Sequence, residues 1–325
     1  MINNNNHRKA LSLLSLNGNS FFKVSNPSSR HHLIRYIRSK SPTFVALQEI
    51  DQSSDSFQHQ NILHQQFCCQ QSLWTEYCGL LCFDPQFILS RIPLPEDSRC
   101  ILAKVTHIEG SMDPFHILVI YAPASSSKAR AEFFDTILTF RQLSPYDTLS
   151  CVDRMITAGD FNYALPSFST PRTTRHPQHW LHFLQCHFRN VISELRGLDT
   201  PTFRRGDTTR SAIDYLYISL DLSVHYVDAE VEFLNPQWTD HALLGLTFQT
   251  DLSTTTGPGL WRANPIYVAN KDFMRQFDRM LKTFTNMKFT FHRCHHKNYG
   301  ILSKRGSRSL LKVMVANAWT GENNN

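Results

Sequence analysis

No apolar run in the chain approaches 18 residues, so no segment reads as a membrane-spanning helix. A secretory leader is missing too: residues 10–16, which follow the basic start at His7, Arg8 and Lys9, are too short for an apolar leader core and alternate with serine. Together these absences predict a soluble intracellular protein of the nucleus or cytoplasm. A disulfide framework is also lacking. Cys68, Cys69, Cys78, Cys82, Cys100, Cys151, Cys186 and Cys294 are scattered, several inside apolar strand-like runs, as buried reduced thiols are. Cys78 and Cys82 sit four apart, and His292, Cys294, His295 and His296 cluster. A zinc finger needs a second pair at finger spacing, and its absence disfavours structural zinc. Acidic residues vanish between positions 279 and 312, where Lys282, Lys288, Arg293, Lys297, Lys304, Arg305 and Arg308 accumulate, so that stretch reads as a solvated, partly disordered tail. With a formal net charge of +6 and 16 histidines, the chain favours an anionic polymer as partner.

What is present begins with length: 325 residues suffice for one large layered domain plus appendages, or for two domains. The organising stretch is Arg154-Met-Ile-Thr-Ala-Gly-Asp-Phe-Asn162, a short apolar run that ends in a glycine and presents a carboxylate and a carboxamide two residues apart. In an extended chain Asp160 and Asn162 point to one side while Phe161 anchors the other, and Gly159 permits a close backbone approach. A carboxylate can activate water or hold a cation, and a neutral amide can donate to a phosphate oxygen without repelling it. Alone, the stretch reads equally as an Asx turn closing a strand.

Partners follow along the chain. Residues 10–17 form a strand candidate ending at Asn17-Gly18-Asn19. A helix is predicted from Pro27 to Lys40, then a buried strand over 43–48 that presents Glu49. Residues 51–71 carry little signal. Strands are predicted at 77–89, 100–106 and 115–121, the last ending in Tyr121-Ala-Pro123, and a helix over 125–142 buries Phe133, Phe134 and Ile137. Apolar positions from Trp180 to Leu195 recur at helical spacing and predict one amphipathic helix closed by Gly197, with His187 packed in the core. Thr202-Phe203 and residues 211–218 read as strands joined by a loop over 204–210, and 231–234 and 242–248 complete about nine strands. That number exceeds one open sheet, so two packed sheets flanked by helices fit better.

Six motifs at these strand ends carry a resemblance: Leu16-Asn-Gly18, Leu47-Gln-Glu49, Ile120-Tyr-Ala-Pro123, Gly159-Asp-Phe-Asn162, Ser211-Ala-Ile-Asp-Tyr215 and Thr239-Asp-His241. The chain resembles the endonuclease/exonuclease/phosphatase (DNase I-like) superfamily, most closely the endonuclease domain of LINE-type non-LTR retrotransposons. Thr239 stands where the family usually has serine, a change that keeps the hydroxyl. The motifs cover residues about 10–250 and imply one such domain over 1–250; Gly257-Pro-Gly-Leu-Trp-Arg-Ala-Asn264 resembles the link after that endonuclease, making 251–325 a linker plus a helical, basic segment. It implies an α+β four-layer sandwich. It also implies a Mg²⁺ site (Mn²⁺ as substitute) at Glu49, Asn17 and Asp240. Asp160, Asn162, His241, Asp214 and Tyr121 are then the catalytic residues, and Ser211, Thr202, Arg204, Arg205 and Arg210 bind phosphate or DNA. The implied activity is nicking one strand of double-stranded DNA to leave a 5′-phosphate and a 3′-hydroxyl. An abasic-site or 3′-repair nuclease, an RNA deadenylase and a silent nucleic-acid-binding remnant stay open, since function lives in the site rather than in the fold.

Overall fold

In the computed structural model the described residues are 8–21, 27–50, 56–96, 98–144, 147, 150–165, 177–197, 200–206, 208–251, 274, 275 and 278. The chain divides into two units, Met1–Thr255 and Thr256–Asn325. Of the second, only Met274, Arg275 and Asp278 are described, all helical. The expected link at 257–264, the basic stretch at 279–312 and the His292–Cys294 cluster lie outside the described residues.

The elements run β1 (Arg8–Asn17), α1 (Pro27–Ser39), β2 (Phe44–Gln48), α2 (Ser56–Phe67), β3 (Gln71–Trp74), β4 (Cys78–Cys82), β5 (Phe87–Ile92), β6 (Cys100–His107), β7 (Phe115–Tyr121), α3 (Ser127–Leu138), β8 (Met155–Asp160), α4 (Gln178–His187), β9 (Phe188–Asn190), α5 (Val191–Arg196), β10 (Phe203–Arg205), β11 (Thr209–Ser211), β12 (Asp214–Ser219), α6 (Leu220–Ser223), β13 (Tyr226–Phe233) and β14 (Ala242–Asp251). They build two six-stranded sheets, ordered β13-β14-β1-β2-β4-β3 and β5-β6-β7-β8-β12-β9, and a separate two-stranded ribbon, β10-β11. Each large sheet is mixed, with a single parallel pair: β1 with β2, and β7 with β8.

Alternation along the central strands explains the layers. In β2, Phe44 and Ala46 face a core shared with β7 residues Phe115, Ile117 and Val119, so this core lies between the sheets. Val45 and Leu47 face the other way onto Leu33, Ile34 and Ile37 of α1 and Leu63 and Phe67 of α2. On the far side, Leu118 and Ile120 meet Phe133, Phe134 and Ile137 of α3 and Trp180 and Leu184 of α4. A strand buried on both faces reads as continuously apolar, which is how these runs were recognisable. The result is the expected helix–sheet–sheet–helix sandwich.

Three expectations are corrected. The helix predicted from Trp180 to Leu195 is broken: Phe188–Asn190 pair with β12, and Asn190 restarts a helix by accepting from the Ile192 and Ser193 N–H groups, both at 3.1 Å. Leu195, expected on the buried face, is 42% exposed. The weak stretch at 51–71 contains α2, whose glutamines and histidines mask its apolar anchors. The predicted strand 211–218 is two strands, and the expected loop 204–210 narrows to the stretch between Arg205 and Thr209, with Arg204, Arg205 and Arg210 on the strands of the ribbon. No helix among the described residues is long and apolar enough to cross a membrane.

Candidate active site

The parallel pairs bring chemistry to one edge, because their strands end together. β1 ends on Asn17 opposite Gln48 of β2, and β7 ends on Tyr121 opposite Asp160 of β8. β12 runs antiparallel to β8 and starts there, with Asp214 opposite Asp160. β14, antiparallel to β1, begins just after His241. Gly159 makes the β7–β8 approach possible: at φ 148°, a Cβ on it would lie 1.9 Å from the Ile120 carbonyl oxygen.

Around Asp160 the hydrogen bonds form a connected chain. Asn17 Nδ2 donates to Asp160 Oδ2 at 2.8 Å, and the Asn162 N–H donates to Asp160 Oδ1 at 2.8 Å. His241 Nδ1 lies 3.0 Å from both oxygens of Asp214. The Thr202 hydroxyl donates to Asp214 Oδ2 at 2.7 Å and accepts from the N–H groups of Ile213 and Asp214 at 3.1 and 2.9 Å. The Thr239 hydroxyl donates to the Asn17 carbonyl at 2.8 Å and accepts from the His241 N–H at 3.1 Å, so the threonine performs a hydroxyl's positioning task. Asp160, Asp214 and His241 are buried, and one ligand atom from each lies within 4.8 Å of the others, close enough to hold a metal ion.

A profile of the Endonuclease/Exonuclease/phosphatase family matches residues 14–241. The chain belongs to that family. Its members hydrolyse phosphodiester bonds, and the match takes in every strand end just described. Three solved structures show the same DNase I-like fold. They are an AP endonuclease from Archaeoglobus fulgidus (14% identity, TM-score 0.56, 73% of this chain and 99% of that one), the 3′ phosphatase NExo from Neisseria bound to product DNA hairpin (17%, 0.54, 73% and 99%), and the endonuclease domain of TRAS1, a telomere-specific non-LTR retrotransposon (12%, 0.51, 73% and 98%). Comparison with curated proteins gives no match.

Electrostatics in this family member follow from burial. Desolvation, with the Asp214 charge adding to it, pushes the Asp160 carboxyl up to about 7, against the opposing pull of His241. Burial works to lower the His241 imidazolium, but the Asp214 carboxylate on Nδ1, followed by Asp160 and Asp240, outweighs it and raises the group to about 9. Burial, then the carboxylates of Glu49 and Asp160, hold the Tyr121 phenol well above its ordinary value, so it stays protonated.

The remaining site residues differ in state. Asn162 is not on an extended strand: β8 ends at Asp160, and Asn162 sits at φ 53° with Nδ2 donating to the Ala122 carbonyl at 2.8 Å, leaving its second amide proton for another partner. Phe161 is the buried anchor expected. Thr202 departs from the phosphate-binding expectation, because its one proton and both lone pairs are engaged and it has no donor left for a phosphate. Glu49 sits at φ 54°, and its carboxylate makes no hydrogen bond or ion pair among the described residues. Asp240 accepts from Asn19 Nδ2 at 3.1 Å on Oδ1 and from Arg205 on Oδ2. The Arg204 guanidinium lies 3.4 Å over the Phe233 ring, and Arg210 is exposed across the ribbon from it. Ser211 is half-buried at the ribbon's end.

Sequence reading missed Asn19, Tyr77 and Arg99. Asn19 ties Asn17 to Asp240 within the first sheet's side of the site, since its N–H donates to Asn17 Oδ1 at 2.9 Å while its side chain reaches Asp240. In the sequence it was only the end of a turn signature. The Arg99 guanidinium sits 4.2 Å over the Tyr77 ring and 5.2 Å over that of Tyr121, a stack assembled from three strand ends.

Proposed function

We propose that the chain is a divalent-cation-dependent DNA endonuclease that nicks one strand and leaves a 5′-phosphate and a 3′-hydroxyl. The observation that carries this is the hydrogen-bonded row Thr202–Asp214–His241 beside a buried carboxylate, Asp160, whose affinity for a proton is raised. Asp160 and His241, with ligand atoms within 4.8 Å of each other, supply a base and an acid at one place.

Water attacks phosphorus, the bond to the 3′ oxygen breaks, and the attacking water's proton passes to Asp160, a base matched to neutral pH. His241, held as imidazolium by Asp214, donates to a non-bridging oxygen as charge builds there. The free proton of the Asn162 amide and the protonated Tyr121 phenol donate at the same phosphate, and the departing 3′ oxygen takes its proton from solvent.

The donor set suits a hard cation. Glu49, Asn17 and Asp240 can each offer an oxygen, and the Glu49 carboxylate has no hydrogen bond or ion pair among the described residues. We assign the cation to these three rather than to Asp160, Asp214 and His241, because Asp214 is already shared by His241 and Thr202. When bound, Mg²⁺ or Mn²⁺ would neutralise phosphate charge and stabilise the leaving oxygen. Double-stranded DNA is the partner we favour, given the exposed Arg204 and Arg210 and the positive net charge. Kinship to LINE-type endonucleases, an intracellular location and a separate basic segment from residue 251 belong to the same proposal, supported by the motif order and the likeness to the TRAS1 domain.

Substrate choice is tested by offering the purified chain a plain duplex, a duplex with an abasic site and a polyadenylated RNA, each with Mg²⁺. Plain-duplex nicking at a rate equal to or above the others supports the proposal. Cleavage confined to the abasic duplex or to RNA would move the protein to the repair or deadenylase class.

A further inference from the structure

Arg205 reaches from the ribbon into the site. Its Nε and Nη2 lie 3.2 and 3.0 Å from Asp240 Oδ2, while Asn19 takes Oδ1. Among the described residues, apart from this pair, its guanidinium meets only the Phe203 ring, 5.2 Å from the centroid, and its side chain is 73% exposed. Arg204, one residue earlier and of equal charge, turns instead onto Phe233. One of two adjacent arginines is therefore aimed at a carboxylate that we assign to the cation, through a contact exposed enough to be weak and reversible.

We infer that Arg205 is a resident counter-cation for Asp240, competing with the divalent ion and released to nucleic-acid phosphate when that ion binds. This rests on the cation reading of Glu49, Asn17 and Asp240 given above. One oxygen of Asp240 cannot serve a guanidinium and a metal ion at full strength, so whatever draws Arg205 away strengthens the cation site. A phosphate of bound nucleic acid would be such a group. By linkage, cation and nucleic acid then favour each other's binding by the same factor.

Direct Mn²⁺ binding to the full chain without nucleic acid, read as free Mn²⁺ by electron paramagnetic resonance, tests this with a sign. Competition predicts that Arg205→Gln tightens Mn²⁺ binding by roughly threefold to tenfold. Arg204→Gln, which removes the same charge from the same ribbon, should change it less than twofold, and Arg205→Gln should give no gain when Asp240→Asn is already present. If Arg205 instead holds Asp240 in place for the ion, Arg205→Gln weakens binding, and that result overturns the inference, as does an equal gain from Arg204→Gln. Wild-type chain that binds no Mn²⁺ would overturn the cation reading itself, a different failure from an unchanged or weakened Arg205→Gln.

Discussion

Thr202 shows how much one hydroxyl can organise. It is 1% exposed, and it fixes the Asp214 carboxylate while capping two backbone N–H groups. Thr202→Val keeps the shape and orphans those partners, which costs about 1–3 kcal/mol in urea denaturation and lowers nicking at least about tenfold. Thr202→Ser should restore both. Unchanged stability in the valine variant would contradict the role. His116 offers a prediction away from the site. Its Nδ1 is buried without a partner among the described residues, and burial lowers the group from 6.5 to about 4. Between those two values the unfolded chain takes up a proton that the folded chain refuses. The stability linked to His116 is therefore complete above 6.5 and lost as pH falls toward 4. Urea midpoints at pH 7 and pH 5 should differ by on the order of 1–2 kcal/mol more in wild type than in His116→Gln. An equal pH response in the two would remove the assignment.

Among the elements, those buried on both faces were the legible ones. Strands β2, β7 and β8 announce themselves as apolar runs, and the site residues Glu49, Tyr121 and Asp160 stand at or just after their ends. The α4–β9–α5 break was not legible, since helical spacing persists across it and only the edge of β12 pulls Phe188–Asn190 into a strand. Thr202's saturation was equally hidden, because it depends on a break between β11 and β12 at Ala212 and Ile213 that the apolar run concealed. Gly159→Ala tests the close approach of β7 and β8: overlap with the Ile120 carbonyl together with backbone strain should cost about 3 kcal/mol or more. The ribbon yields a further expectation. With Arg204 flat on Phe233 and Arg205 drawn to Asp240, its arginines present charge rather than a base-reading edge. Arg204→Ala with Arg210→Ala should weaken duplex binding uniformly and reduce the salt slope by about 1 per arginine. A redistributed map of nick positions would instead show that the ribbon reads the groove.

At the scale of the unit Met1–Thr255, two similar half-sandwiches, each with one parallel pair at its centre, present complementary groups to each other. The first sheet brings Asn17, Glu49, Asp240 and His241, and the second brings Tyr121, Asp160 and Asp214. Bonds from Asn17 to Asp160 and from His241 to Asp214 join the two sheets. A site assembled from both sheets of one sandwich exists only in the folded domain, which is why six short motifs spread over 226 positions had to be read together. Supercoiled plasmid incubated with the purified chain, scored for nicked circles whose ends a DNA polymerase can extend, measures the central claim directly. Wild type should nick in Mg²⁺, stop in EDTA and resume when Mg²⁺ is restored, while Asp160→Asn and His241→Ala, both still folded, fall by on the order of a hundredfold or more. Nicking that survives EDTA, or that Asp160→Asn leaves intact, would contradict it.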